Sequence, residues 1–239
     1  MTIAEKLTRA KSDYDKVFEA GKKSEYDMFW DAYQQNGERT AYQNAFSGVG
    51  WTVETFKPKY SLIVKGTAEN MFANSLNGVD LEQLLSELGL TLNTSGVTST
   101  YGFRNFCYNG SPSVLPVIDT RGASHISNLL YFTDNLVTVR KVILKDDGSQ
   151  TFTSAFIYNY ALENISFEGT FGNDVSFEGC SRLTEESIRD IVNHLSTTAS
   201  GKSVTFSEAA VNAAFGATSM NIHWLSLIGS RSNWTVALI

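Results

Sequence analysis

The stretch Phe156-Ile157-Tyr158-Asn159-Tyr160-Ala161-Leu162-Glu163-Asn164-Ile165-Ser166-Phe167 decides the reading. It places Phe156, Asn159, Leu162, Ile165 and Phe167 at offsets 0, 3, 6, 9 and 11. A Phe followed three residues later by Asn or Cys recurs at Phe106/Asn109, Phe132/Asn135, Phe156/Asn159 and Phe177/Cys180, in steps of 26, 24 and 21 residues. After the first three comes a β-prone run: Val114 to Ile118, Val139 to Leu144, and Leu162 to Phe167. A period of this size outranks other signals, because one such unit cannot bury its apolar side alone and must share a core with its neighbours. The Phe is expected to fill that core. The Asn is expected to satisfy backbone groups inside the turn, forming a ladder that ends at Cys180. The fold class predicted is α/β: a short leucine-rich-repeat-like β-solenoid with a long N-terminal helix and an α/β C-terminal cap.

Four segments follow from this centre. Residues 1–37 read as a helix whose seam of Ile3, Leu7, Ala10, Tyr14, Val17, Gly21 and Met28 resembles about three heptads. It predicts docking, or homo-oligomerisation through residues 3–33. Residues 38–66 are an aromatic connector with Tyr42, Phe46, Trp51, Phe56 and Tyr60, too many rings to leave in water. Residues 67–183 form the repeat body, in which Leu81 to Leu88 predicts a short helix feeding a strand at Leu90 to Asn93. Residues 184–239 form the cap. There Thr184 is the expected N-cap of a helix with apolar face Ile188, Ile191, Val192 and Leu195. A strand at Val204 to Phe206, helices at Ser207 to Phe215 and Ile222 to Ile228, and a last strand Trp234 to Ile239 complete it. That last strand reads as too apolar for an exposed sheet edge.

Composition narrows the function classes. The 239 residues are 42% hydrophobic and 18% charged, with a net charge of −6, which argues against disorder of the whole chain and against a phosphate grip on nucleic acid. No run approaches the roughly 18 apolar residues of a spanning helix. Met1 to Ala20 carries eight charged residues and lacks the apolar region of a secretory signal. The expected location is therefore a virion or the host cytoplasm, without membrane insertion. The two cysteines, Cys107 and Cys180, read as buried free thiols.

Catalytic and ligand-binding patterns are missing from the sequence. Ser196 to Ser203 falls one residue short of a P-loop, and its predicted order of helix, loop, strand is the wrong one for phosphate. His125, His194 and His223 have no metal-ligand spacing. Asp146-Asp147-Gly148 reads as a turn. Glu168 and Glu178 recur in two Ser-Phe-Glu-Gly copies, and solvated repeat positions account for them better than a glycosidase pair. No catalytic residue, metal or cofactor is expected.

The Phe, Asn/Cys, Leu, Ile pattern resembles the leucine-rich repeats of BspA-type bacterial surface proteins, with insertions before the strand in the units of Phe106 and Phe132. Further tracts are similar to prophage- and phage-encoded proteins of low-GC Gram-positive bacteria, often encoded near tail genes. They are Glu19 to Gln35, Ala45-Phe46 to Gly50-Trp51-Thr52, Thr55-Phe56-Lys57-Pro58-Lys59-Tyr60 and Leu144-Lys-Asp-Asp-Gly-Ser-Gln-Thr-Phe152. The resemblance implies a non-enzymatic accessory protein of a phage tail or virion that binds a protein or a cell-surface glycan. The alternative is an intracellular interaction module acting on a host or phage protein. Strand alternation offers Arg140, Lys141, Lys145, Glu163 and Glu168 as the recognition face.

Overall fold

The computed structural model describes residues 45–48, 51, 56, 58, 61–110, 112–216 and 222–239; the N-terminal helix and the seam at residues 3–33 lie outside them, as do Tyr42 and Tyr60. Among the described residues the elements run β1 (Leu62–Gly66), α1 (Leu81–Glu87), β2 (Leu92–Val97), β3 (Val114–Asp119), β4 (His125–Ser127), β5 (Thr138–Ile143), β6 (Thr151–Thr153), β7 (Asn164–Glu168), β8 (Val175–Phe177), α2 (Glu185–Asn193), β9 (Lys202–Phe206), α3 (Glu208–Phe215), α4 (Ile222–Gly229) and β10 (Trp234–Leu238).

The expected β-solenoid is corrected by the strand pairing. The ten strands form four separate parallel sheets, ordered β1-β2, β3-β5-β7, β4-β6 and β10-β9-β8, and none is continuous with another or closed. The breaks have a common cause. Where the ladder would pass from β2 to β3, the Thr94 hydroxyl intervenes, accepting from Asp119 N at 2.8 Å and donating to Asp119 O at 3.1 Å. Beyond β7 the free N–H groups are taken by α2. Ile165 N donates to Ser187 Oγ at 3.0 Å and Phe167 N to Asp190 Oδ2 at 2.7 Å. Between β6 and β8, Asn173 Nδ2 donates to Gln150 O at 2.9 Å. A side chain at each junction satisfies the backbone and ends the sheet.

The helices start where capping chemistry dictates. Asp80 accepts from Gln83 N at 2.8 Å to open α1, and Thr184 accepts from Ser187 N at 3.3 Å to open α2. Glu185 and Glu186 stand in the first turn of α2, favourable at the positive end of the helix dipole. Ile188, Ile191, Val192 and the following Leu195 are buried. The last strand departs from expectation: β10 is an edge of its sheet, and Ile239 after it is 66% exposed. Trp234 holds it there, with a buried ring and Nε1 donating to Ser196 O at 2.8 Å.

Between the strands, the turn segments lie side by side through backbone hydrogen bonds, and these set a register that differs from the sequence reading. Phe72 N donates to Phe106 O, Cys107 N to Leu129 O, Leu130 N to Ala155 O and Tyr158 N to Glu178 O. Phe72, Cys107, Leu130, Phe156 and Phe177 are therefore equivalent, and all are fully buried. The positions three residues on are Ser75, Gly110, Thr133, Asn159 and Cys180, likewise inside. Phe106 is buried one position before the equivalent site, and Phe132 lies two after it, half-buried. Asn109 and Asn135 are exposed.

The interior polar column is thus Thr133, Asn159 and Cys180. Asn159 Nδ2 donates to Phe156 O at 2.8 Å, its Oδ1 accepts from Thr133 N at 3.2 Å and from the Thr133 hydroxyl, and Cys180 Sγ donates to Phe156 O at 2.9 Å. Around it the rings stack: Phe156 on Phe177 at 5.1 Å and Phe177 on Phe206 at 5.9 Å. At the other end Phe46 and Phe56 of the connector pack on Phe72, so one apolar cluster extends from Phe46 to Trp234.

Asn109 has a different task. It has φ 49°, and the segments carry left-handed residues in pairs four apart: Asn70/Asn74, Asn105/Asn109, Asn128/Phe132 and Ser154/Tyr158. Asn tolerates that conformation best among residues with a side chain. Asn159→Ala should lower stability by about 2–3 kcal/mol by orphaning buried polar groups, whereas Asn109→Gly should stay within about 0.5 kcal/mol. Urea denaturation of both variants checks the reassigned column.

Candidate binding surface

The five charged residues offered by strand alternation are not one patch. A register irregularity between Val139 and Val142 of β5 turns Arg140 and Lys141 away from the core together, one exposed and the other half-buried. Lys141 Nζ lies 3.2 Å from Glu168 Oε2 at the end of β7, and Arg140 pairs with Glu82 of α1. Glu163, just before β7, pairs with Arg182 at 2.5 Å. Lys145 follows β5 at the opposite end of the sheet, where its N–H donates to Gln150 Oε1 at 2.8 Å. Arg140, Lys141, Glu163 and Glu168 are thus engaged in ion pairs, and only Lys141 and Glu168 meet each other. Exposed pairs of this kind contribute under about 1 kcal/mol each.

Hollows lie along α2, and two of them reach neighbouring elements. One, of about 250 Å³, lies against β5 and β7 near the helix N-terminus and is lined by Thr138, Arg140, Asn164, Ser166, Glu186 and Asp190. The other, of about 420 Å³, lies at the helix C-terminus and includes Asp146, Asp147, Thr170, His194, Thr198 and Arg231. Arg231 is held there by the last residue of α2 and the turn after it, donating to Asn193 O at 2.8 Å and Leu195 O at 3.1 Å, a cation on the negative end of the dipole. Among the described residues no group of three or more His, Cys, Asp or Glu side chains is placed to hold a metal ion.

A second surface consists of aromatic rings. Tyr108 and Tyr131 occupy equivalent positions on neighbouring segments, with ring centroids 5.5 Å apart and planes within 3°. Tyr131 meets Tyr158 at 5.8 Å, Tyr158 meets Tyr160 at 6.3 Å, and Phe132 touches Tyr131, Tyr158 and Tyr160. Tyr108 is 37% and Tyr160 47% exposed. The Tyr158 hydroxyl donates to Glu178 Oε1 at 3.1 Å, and this bond, followed by the carboxylate's charge, raises the phenol above its ordinary range. Following phenylalanine alone misses this strip. The recurrence of Tyr at 108, 131 and 158, near the repeat period, was the signal for it.

The buried chemistry is inert. Both cysteines are free and buried; burial pushes the Cys180 thiol up to about 12 and Cys107 higher still. Asp119 is a carboxylate at the edge of the core. Burial opposes its ionisation, but hydrogen bonds from Arg121 Nε at 3.0 Å, Nη2 at 2.6 Å and the Arg121 N–H, with the guanidinium charge, hold it below its ordinary value. Comparison of the chain with known protein families, with curated proteins and with solved structures finds no significant match. Among the described residues no helix is long and apolar enough to cross a membrane.

Two measurements check this account. Ellman's reagent at about pH 8 should leave both thiols untouched in the folded chain and label both in guanidinium. The Asp119–Arg121 pair should contribute its full stability above the unfolded carboxylate pKa of about 3.9 and lose it as pH falls through the lower folded value. Arg121→Ala should therefore be less stable than the parent at neutral pH by about 1 kcal/mol, with the difference shrinking towards about pH 2.

Proposed function

We propose that the chain is a non-enzymatic structural accessory protein of a phage or prophage, associated with the tail or virion, that presents its surface to a host-surface or virion component. The observation carrying this reading is the aromatic strip. Five rings from neighbouring segments lie next to one another at the surface, where polar side chains would serve solubility better, and large aromatic side chains are the commonest anchors of recognition surfaces. The resemblance read from the tracts at Glu19 to Gln35, Ala45 to Thr52, Thr55 to Tyr60 and Leu144 to Phe152 implies the phage context. Residues 3–33 supply a self-association seam in this proposal. A protein or a cell-surface glycan is the partner.

The mixed-charge face around Arg140, Lys141 and Glu168, beside the hollow at the start of α2, favours the second reading, an intracellular module that docks a host or phage protein. Mass spectrometry separates the two. The chain should be recovered from gradient-purified particles at a constant ratio to a tail protein. Its recovery from infected-cell lysate, with loss from particles on purification, would replace the virion reading by the intracellular one.

A further inference from the structure

Phe132 and Tyr158 stand in the left-handed region, with φ 58° and 60°. Bulky side chains are disfavoured there, because Cβ crowds the neighbouring backbone. The hydrogen-bond register makes them equivalent to Asn74 and Asn109, which have φ 53° and 49°. The fold therefore accepts Asn at this position in two segments and carries a strained aromatic residue in the next two. Neither ring belongs to the buried core: both are half-buried, and the positions that fill the interior of these segments are Leu130 and Phe156. Backbone strain retained in order to hold two rings at the surface points to a contact those rings make outside the chain.

The strip's chemistry selects that contact. The ring centroids lie 4.8–6.5 Å apart, with Tyr108 on Tyr131 and Tyr158 on Tyr160 stacked and the contacts of Tyr131 with Phe132 and Tyr158, and of Phe132 with Tyr160, edge to face; this is a contiguous aromatic ridge, whereas an ammonium cage needs rings standing apart around the cation. The Glu178 carboxylate accepts from the Tyr158 hydroxyl at 3.1 Å, and its negative charge disfavours an anion on this part of the strip. Together the carboxylate and the phenols offer one strong acceptor and several hydroxyls that both donate and accept. A flat ligand with apolar C–H faces and hydroxyl edges, and without negative charge, complements it. Tyr108, Tyr131, Tyr158 and Tyr160 follow one another ring to ring, which suits a linear polymer better than a monosaccharide.

We infer that the strip formed by Tyr108, Tyr131, Phe132, Tyr158 and Tyr160, with Glu178 as hydrogen-bond acceptor, is a binding platform for an uncharged polysaccharide. This rests on the reading of the chain as a surface-recognition protein and names the class of its ligand.

The test applies the full chain to a glycan array of neutral hexose and N-acetylhexosamine oligosaccharides of increasing length, with uronic-acid and sulfated counterparts. A proline-rich peptide serves as competitor. Neutral oligosaccharides should be retained, longer ones more tightly, and the anionic counterparts should not. Phe132→Asn and Tyr158→Asn place at these positions the residue that the equivalent segments already carry. Each should keep or raise the melting temperature and weaken glycan binding about tenfold or more. Tyr101→Ala, a 50% exposed tyrosine outside the strip, should bind as the parent does. Retention of no neutral glycan, preference for the anionic ones, displacement by the peptide, or undiminished binding by both Asn variants would overturn the platform. Marked destabilisation of those variants would do the same, by making the rings a packing requirement. Presence in particles without glycan binding removes this inference alone; glycan binding by a chain lost from particles removes the virion reading alone.

Discussion

The constraint on which the structure depends is that backbone polar groups running through a phenylalanine core must find partners there. A buried N–H or C=O left unpaired is destabilising by about 1–3 kcal/mol, and the turn segments contain many. Paired left-handed residues answer most of the need, because they aim each segment's N–H groups at the carbonyls of the next. Asn159 answers the rest at the centre, linking Thr133 to the Phe156 carbonyl that Cys180 also reaches. Gly110 stands in this column because a Cβ would lie 2.9 Å from both Cys107 Sγ and Phe72 O.

The same requirement decides where the sheets stop. Thr94, Ser187 and Asp190 bond to strand backbone that another strand would otherwise pair, and Asn173 bonds to the carbonyl of Gln150 just before β6. Four small sheets result where one was expected. These junctions also set the surfaces: α2 lies against β7 because Ser187 and Asp190 tie it there, and the two hollows open at its ends. Gln150 acts similarly on the turns, with its amide donating to Thr120 O at 2.8 Å and Ala123 O at 2.9 Å.

Much of the element pattern was legible. The run Val114 to Ile118 lies within β3, Thr184 caps α2, and Val204 to Phe206 falls in β9, because β-branched runs and capping side chains act locally. The register was not. Phe106/Asn109 and Phe132/Asn135 carry the same letters as Phe156/Asn159, yet only Phe156/Asn159 and Phe177/Cys180 occupy the interior positions. Cys107/Gly110 and Leu130/Thr133 take the other two places, since a core accepts any apolar residue that fills it. The aromatic strip is hidden in the sequence for a related reason: the Phe/Asn period places Phe132 in the core, and its displacement by two positions moves it outside.

By itself, then, the sequence determined many of the helices and strands, the burial of both thiols and the apolar face of α2. These depend on short-range propensity and on hydrophobicity, which the chain states locally. Tertiary structure alone decided which residues share a layer, where each sheet ends, that β10 is an edge, and that Phe132 joins four tyrosines at the surface. Those outcomes turn on hydrogen bonds between residues 20 or more positions apart, and on single-residue shifts of register that change a side chain from interior to exterior while leaving its hydrophobicity unaltered.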